Sequence, residues 1–168
     1  MIVRKLHHVA YRCTDAQATV EFYTSVLGLK YSHAVRNDYV PSTGEFYPHL
    51  HIFFEMDDGS SIAFFETPTE QPMGLDPNTP QWVQHLALEI DSKATQQQFI
   101  ERFEALGIDY IGPTDHGFVQ SIYFFDPSGH RLELTYRSDR AGELDAAETN
   151  APHLLTQWLE DRQQWSKE

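Results

Sequence analysis

"HVAYRCTDAQATVEFYTSVLGLKY", His8 to Tyr31, returns in altered form as "HLALEIDSKATQQQFIERFEALGIDY", His85 to Tyr110, with two extra residues in the second copy. Both segments open on His within alternating apolar residues, pass an Asp into a stretch of helical period, and leave through Leu-Gly into extended pattern. A second match follows without gaps. "HIFFEMDDGSSIAFF" (His51 to Phe65) aligns with "SIYFFDPSGHRLELT" (Ser121 to Thr135) and pairs Gly59 with Gly129 at a hairpin turn. Internal repetition fixes architecture more firmly than local propensity, because each unit must bury the same face. Each copy reads as strand, helix, strand, strand, strand. The expected fold class is α+β: two repeated βαβββ modules forming a curved mixed sheet around a shared hollow, plus a C-terminal helix.

In the first strands, Val9, Tyr11 and Cys13 alternate with His8, Ala10 and Arg12, while Leu86, Leu88 and Ile90 alternate with His85, Ala87 and Glu89. The apolar set should pack on the helices, expected over 16–26 and 94–105, which offer Val20, Phe22, Tyr23 and Val26, and Phe99, Ile100 and Phe103. Thr14 or Asp15, and Asp91 or Ser92, suit the N-cap positions, and Gly28 and Gly107 sit where the helices stop. Between the copies, "TPTEQPMGLDPNTPQ" (67–81) carries four prolines and no periodicity, which marks a linker. The chain therefore divides into one domain over 1–137, with module one at 4–66, the linker at 67–81 and module two at 82–137. Residues 138–168 form an acidic segment and a final helix. There Leu154, Leu155, Trp158 and Leu159 have helical spacing and should pack on the body or on a second subunit. "VPSTGEFYP" (40–48) is a longer connection than its counterpart and is expected to act as a lid.

With 168 residues and 40% hydrophobic content, the chain can bury a substantial core. Its one cysteine, Cys13, cannot close an internal disulfide, and no apolar run approaches the roughly 20 residues needed to span a bilayer. The opening "MIVRKLHHVAYRC" reads as a strand and not as a signal peptide, so a cytoplasmic protein is expected. The 25 acidic residues against 12 basic give a net charge of −13, which repels phosphate backbones and anionic lipid. Nucleic acid and membrane are accordingly not expected as partners.

The repeat nominates a metal site. His8 and His85 occupy the same place on equivalent strands, and Glu133 follows the Gly129 turn with Arg131 and Thr135 on its side of the strand. Two imidazoles and one carboxylate converging from separate strands, with positions left open, suit non-haem Fe(II) used for oxygen chemistry. Burying that carboxylate without a cation would be costly. His7 falls on the apolar face and is not expected to be a ligand. The first copy has Ala63 at the position of Glu133, and Glu66, three residues on, has the wrong parity. This favours a three-ligand site. His130 is expected to face solvent, and His33 and His153 have no supporting context.

The duplicated modules with His, His and Glu resemble the vicinal oxygen chelate superfamily over about Leu6 to Arg137. That superfamily includes glyoxalase I, epimerases, fosfomycin-resistance enzymes, bleomycin-binding proteins and type I extradiol ring-cleavage dioxygenases. "TDHGFVQSIYFFDPSGHRLE" (Thr114 to Glu133) is similar to the extradiol dioxygenase signature at every fixed position: Thr114, His116, Ile122-Tyr123, Asp126-Pro127, Gly129 and Glu133. The resemblance implies that Glu133 is the carboxylate ligand and that Tyr123 and His116 line the pocket and orient substrate. The family's further acid-base His cannot be transferred by motif. His51 is the candidate, because it pairs with Ser121 in the repeat and shares parity with Phe53, the partner of Tyr123; His49 has the same parity. Phe53, Phe54, Phe64, Phe65, Phe124 and Phe125 are mainly core, and the inward-facing members could wall a pocket for an aromatic ring.

The resemblance implies an oxidoreductase of aromatic catabolism that opens a catechol-type ring with both atoms of O2. Its cofactor would be Fe(II), with Mn(II) or another divalent metal as substitute, and its partners a small aromatic substrate, O2 and a second copy in a homodimer. Two other activities stay open: a glyoxalase or epimerase-type lyase or isomerase, and a metal-free protein that sequesters a hydrophobic ligand.

Overall fold

Alternation in the strands and the 3.6-residue period between them call for a sheet with one helix behind it, made twice. The computed structural model describes residues 2–67, 73–74 and 76–165. Its first module runs β1 (His8–Cys13), α1 (Ala16–Glu21), a π-helical turn (Phe22–Val26), β2 (Lys30–Tyr39), β3 (Phe46–Glu55) and β4 (Ser61–Glu66). The second runs β5 (Leu86–Glu89), α2 (Lys93–Leu106), β6 (Ile111–Asp115), β7 (Val119–Phe125) and β8 (Arg131–Arg137), and α3 (Glu143–Trp165) follows.

Each module keeps its own four-stranded sheet, ordered β1-β4-β3-β2 and β5-β8-β7-β6. The β1–β4 and β5–β8 pairs are parallel and the rest antiparallel, so both sheets are mixed. The repeat seen in the sequence is thus a repeat of topology. The β3–β4 and β7–β8 turns need a left-handed residue, which Gly59 (φ 76°) and Gly129 (φ 87°) supply.

The caps resolve the alternatives open in the sequence. Asp15 accepts from the Ala18 amide at 2.9 Å, and Ser92 accepts from the Thr95 amide at 3.2 Å. Helix α1 ends earlier than its periodicity predicts. The backbone widens into the π turn at Phe22, which lets the consecutive Phe22 and Tyr23 both enter the core, at 8% and 0% exposure.

Ile52, Phe54, Ile62 and Phe64 face the first helix, and Ile122, Phe124, Leu132 and Leu134 belong with Ile100 and Phe103 of α2 to the same buried cluster. Tyr23 lies 4.9 Å from both Phe54 and Phe64 between ring centroids, and Phe103 lies 4.7 Å from Phe124. Such aromatic pairs add about 0.5–1.5 kcal/mol each beyond area burial. Phe22 meets Phe124 at 6.3 Å, so the two cores are continuous.

The seam between modules is polar and fully bonded around Asp126. One of its carboxylate oxygens accepts from the Ser128 and His130 amides at 2.9 Å, and the other accepts from the Tyr23 hydroxyl at 3.1 Å. Arg102 donates to the Val26 carbonyl across the same seam at 2.8 Å. His130, expected to face solvent, instead reaches the Arg12 carbonyl with Nε2 at 2.7 Å, because the turn carrying it abuts the end of β1.

Two other expectations change. The connection expected as a lid shrinks to residues 40–45, since the β2–β3 ladder continues to the Tyr39–Phe46 pair. The helix after the acidic segment starts at Glu143 and takes in most of that segment, with Pro152 inside it. Leu154, Leu155, Trp158 and Leu159 stay 54, 60, 52 and 39% exposed, so this stripe is not buried. No helix among the described residues is long and apolar enough to cross a bilayer.

Candidate metal centre

In the second module, the face of the sheet away from α2 collects polar groups. Register places Glu133 beside Ala87 of β5 and opposite Tyr123 of β7. The small Ala87 leaves the carboxylate room, and His85 enters from the residue before β5. His85 Nε2 lies 2.9 Å from Glu133 Oε2, and Glu133 is only 5% exposed. The Ser121 hydroxyl donates to the other carboxylate oxygen and lies 3.1 Å from the Thr135 hydroxyl oxygen. Ser121 went unread in the sequence as a site residue, although its pairing with His51 in the repeat placed it on this face.

The second ring nitrogen of His85, Nδ1, lies 3.2 Å from the Val83 carbonyl, which can only accept. With Nδ1 donating to that carbonyl, Nε2 faces Oε2 at 2.9 Å, a separation that a shared proton or a metal ion bridging the two can satisfy. An imidazole oriented by a backbone carbonyl, beside a carboxylate oriented by a hydroxyl, is also the outer-shell pattern that metal ligands require. The donor set fits a divalent ion.

Tyr123 is 9% exposed, and its hydroxyl lies 2.7 Å from His116 Nε2. The Arg131 guanidinium covers its ring at 4.5 Å, and the His85 ring stands edge-on at 5.7 Å. Burial first, and then the negative charge of Glu133, raise the phenol pKa. Tyr123 is therefore a neutral O–H group at physiological pH, able to donate one hydrogen bond and accept another.

In the first module, the equivalent face carries histidine and phenylalanine in alternation. His33 stacks on Phe53 at 4.2 Å, His51 stacks on Phe65 at 3.6 Å and tilts against Phe53 at 4.1 Å. His8 stands edge-on to Phe53 at 5.6 Å and to His51 at 6.2 Å. His51 Nε2 is buried without a partner, and burial, then the nearby His8, His49 and His33, push its pKa down to about 4. His51 is thus a neutral imidazole at pH 7. His49 is tied to the Tyr47 carbonyl by Nδ1 at 2.7 Å, and His7 Nδ1 sits 2.8 Å from His8 Nδ1. His153 lies exposed on α3.

Ala63 pairs with Ala10 where Glu133 pairs with Ala87, so the first module has no carboxylate at the equivalent point. Glu66 points the other way and accepts from the Ala16 amide at 3.0 Å, adding an anion at the start of α1.

The structure therefore divides the candidate residues. His85, Glu133, Tyr123 and His116 come together on the second sheet, while His8 and His51 lie together on the first. Among the described residues, no group of three or more His, Cys, Asp or Glu side chains is placed to hold one metal ion.

Three comparisons bear on this arrangement. Residues 5–134 match the family model for the Glyoxalase/Bleomycin resistance protein/Dioxygenase superfamily. A protein of Bacillus subtilis (strain 168) named "Putative ring-cleaving dioxygenase MhqA" is 28% identical over 145 residues, which cover 84% of this chain and 43% of that protein. The chain thus spans less than half of that relative. Among solved structures, a glyoxalase/dioxygenase from Nostoc punctiforme superposes with a TM-score of 0.59 at 27% identity, covering 81% of this chain and 92% of the other. A glyoxylase/bleomycin resistance protein/dioxygenase domain from Frankia sp. EAN1pec gives 0.67 at 20%, covering 84% and 96%. The fosfomycin resistance protein FosX from Listeria monocytogenes, solved with Mn(II) and a dihydroxypropylphosphonic acid, gives 0.59 at 20%, covering 84% and 98%. The last two likenesses show the fold alone. With the doubled βαβββ topology and a family match across both modules, the chain belongs to the Glyoxalase/Bleomycin resistance protein/Dioxygenase superfamily.

Proposed function

We propose that the chain is an Fe(II)-dependent extradiol dioxygenase acting on a catechol-type aromatic, with Mn(II) able to stand in for iron. One observation carries the reading: the His85–Glu133 pair at 2.9 Å shares a face with the hydrogen-bonded Tyr123–His116 pair at 2.7 Å. The likeness to a relative named as a ring-cleaving dioxygenase supports it. The position of Ala63, which leaves no carboxylate to serve as a fourth protein ligand, favours it over a glyoxalase or epimerase site.

His85 and Glu133 would hold the ion from the second module. His8 is the third ligand of the proposal, and since it lies on the other sheet, we assign it to a homodimer in which the first-module face of one copy covers the second-module face of the next. A bound divalent ion supplies Lewis acidity, lowering the pKa of the ring hydroxyls it meets. Tyr123 presents its O–H to a substrate oxygen, and His116 holds that hydroxyl in place. His51, neutral and with Nε2 free of partners, takes up the proton of a ring hydroxyl. Phe53 and Phe65 give the ring an apolar wall.

The test is direct. Protein purified without oxygen, given Fe(II), a catechol and then air, should turn yellow as the ring-fission product forms. Mixtures that stay colourless across a broad catechol panel, with turnover of the methylglyoxal–glutathione adduct under Ni or Zn, would replace this reading with a glyoxalase.

A further inference from the structure

Arg131 is the unexplained charge beside this site. It opens β8 two residues before Glu133, on the same face, and stands next to His85 by the register of the parallel β5–β8 pair. Its guanidinium carbon lies over the Tyr123 ring, 4.5 Å from the centroid, its Nε is buried with no hydrogen-bond partner, and it makes no ion pair among the described residues. The chain has 25 acidic residues, yet none of the described ones serves this cation.

Two carboxylates close to it in the fold, Glu133 on the same strand and Asp76 on the cavity beside it, are engaged elsewhere. Glu133 gives one oxygen to Ser121 and turns the other to His85. Asp76, which lines the same cavity, spends its two oxygens on the Asn78 amide at 2.9 Å and the Thr79 hydroxyl at 2.6 Å. That cavity, of about 840 Å³, opens between Tyr11 of the first module and His85, His130 and Arg131 of the second. Arg12 stands at the same seam, its carbonyl bonded by His130, and its Nε is likewise buried and unpartnered. Two half-buried guanidinium groups with no paired anion among the described residues are costly to desolvate. An anion from outside removes that cost, and a guanidinium fork matches the two oxygens of a carboxylate.

We infer that Arg131 recognises an anionic group on the substrate, so that the ring handled at the His85–Glu133 site carries a carboxylate. The inference rests on the proposed function for the ring and its chemistry. The contact with the anion needs no turnover, and the contact with Tyr123 places the guanidinium beside the site before substrate arrives, which lowers the cost of binding.

The experiment titrates the metal-free full-length chain with phenylacetate and with its uncharged isostere phenylacetamide, by calorimetry or ligand-observed NMR. Phenylacetate should bind at least about tenfold tighter than the amide. Arg131→Gln should bring the two together, and Arg131→Lys should keep part of the preference. Equal binding of acid and amide, a preference untouched by Arg131→Gln, or no binding of either probe overturns the inference. Should Arg131→Gln fail to fold in a thermal melt, the Arg131→Lys ratio decides. The iron-loaded enzyme separates the two readings when 3,4-dihydroxyphenylacetate is compared with 4-methylcatechol. Opening of neutral catechols without any acid preference sinks the role of Arg131 alone. An acid preference in binding with no ring opening sinks the dioxygenase reading alone.

Discussion

His85 Nε2 and Glu133 Oε2 face each other at 2.9 Å, and each is oriented from behind, His85 by the Val83 carbonyl and Glu133 by the Ser121 hydroxyl. On the proposed reading Glu133 is a ligand and Ser121 its support, and mutation should separate the two. Glu133→Ala should weaken Fe(II) binding by more than about 100-fold. Ser121→Ala removes only the support and should cost about 10–100-fold, the usual range for outer-shell partners. Metal titration monitored by competition with a chelator reads both. Equal losses in the two variants would place Ser121 among the ligands, and no loss in either would remove the metal from this face.

The Tyr123 hydroxyl is held by His116 at 2.7 Å and its pKa is raised. Burial also raises the phenols of Tyr23 and Tyr110, so ultraviolet titration of tyrosinate should show several groups ionising above the ordinary value of about 10, and Tyr123→Phe should remove one of them. Since the folded-state pKa lies above the unfolded one, the linked stability is complete below the unfolded value and is lost as pH climbs through the folded one. Turnover should fall in Tyr123→Phe with iron still bound, and an alkaline limb below pH 10 would have to come from another group.

The topology and the sorting of residues onto faces were legible because a doubled pattern constrains each copy by the other. Ala63 and Glu133 fall at equivalent register positions, opposite Ala10 and Ala87, as the ungapped alignment implied. Legibility stopped where geometry depends on how two sheets meet. Periodicity says that His8 and Glu133 each point away from a helix, but nothing in a strand pattern says whether two such faces look at one another. The His130 contact to the Arg12 carbonyl escaped for the same reason, since it forms only where one module's turn meets another's strand end. The π turn at Phe22 escaped because consecutive buried aromatics violate the 3.6-residue period that finds helices.

His51 supplies a stability test on the acid side. Its pKa in the folded, metal-free protein is pushed down to about 4, below its unfolded value, so the linked stability is present above pH 6.5 and is lost as pH falls toward 4. Urea unfolding midpoints of metal-free protein should drop across that window. His51→Phe keeps the stack on Phe65 without a titrating nitrogen and should flatten the drop. An unchanged profile in His51→Phe would assign the acid sensitivity to other groups.

The seam makes its own prediction. Tyr23 is fully buried and its hydroxyl satisfies one oxygen of Asp126, itself 5% exposed. Tyr23→Phe keeps the ring against Phe54 and Phe64 but strands that oxygen, at a cost of about 1–3 kcal/mol. Phe54→Ala, which empties core volume, should cost about 3–5 kcal/mol. Denaturant unfolding measures both, and a Tyr23→Phe cost below experimental error would show that water replaces the phenol.

The placement of His8 on the first sheet and of Glu133 on the second permits a test of the homodimer through mixing. Neither His8→Ala nor Glu133→Ala should open a ring alone, since each spoils every site. When the two variants are refolded together at equal concentration, about half of the dimers should be mixed, by random pairing under two-fold symmetry. In a mixed dimer, one site takes intact His85 and Glu133 from the first variant and intact His8 from the second, while the other site has lost both. Turnover and iron content should then recover to about a quarter of the unmutated protein, the mixed half contributing one site in two. Were His8 instead to reach His85 and Glu133 within its own chain, every chain in the mixture would carry a defect, and no activity would return at any mixing ratio.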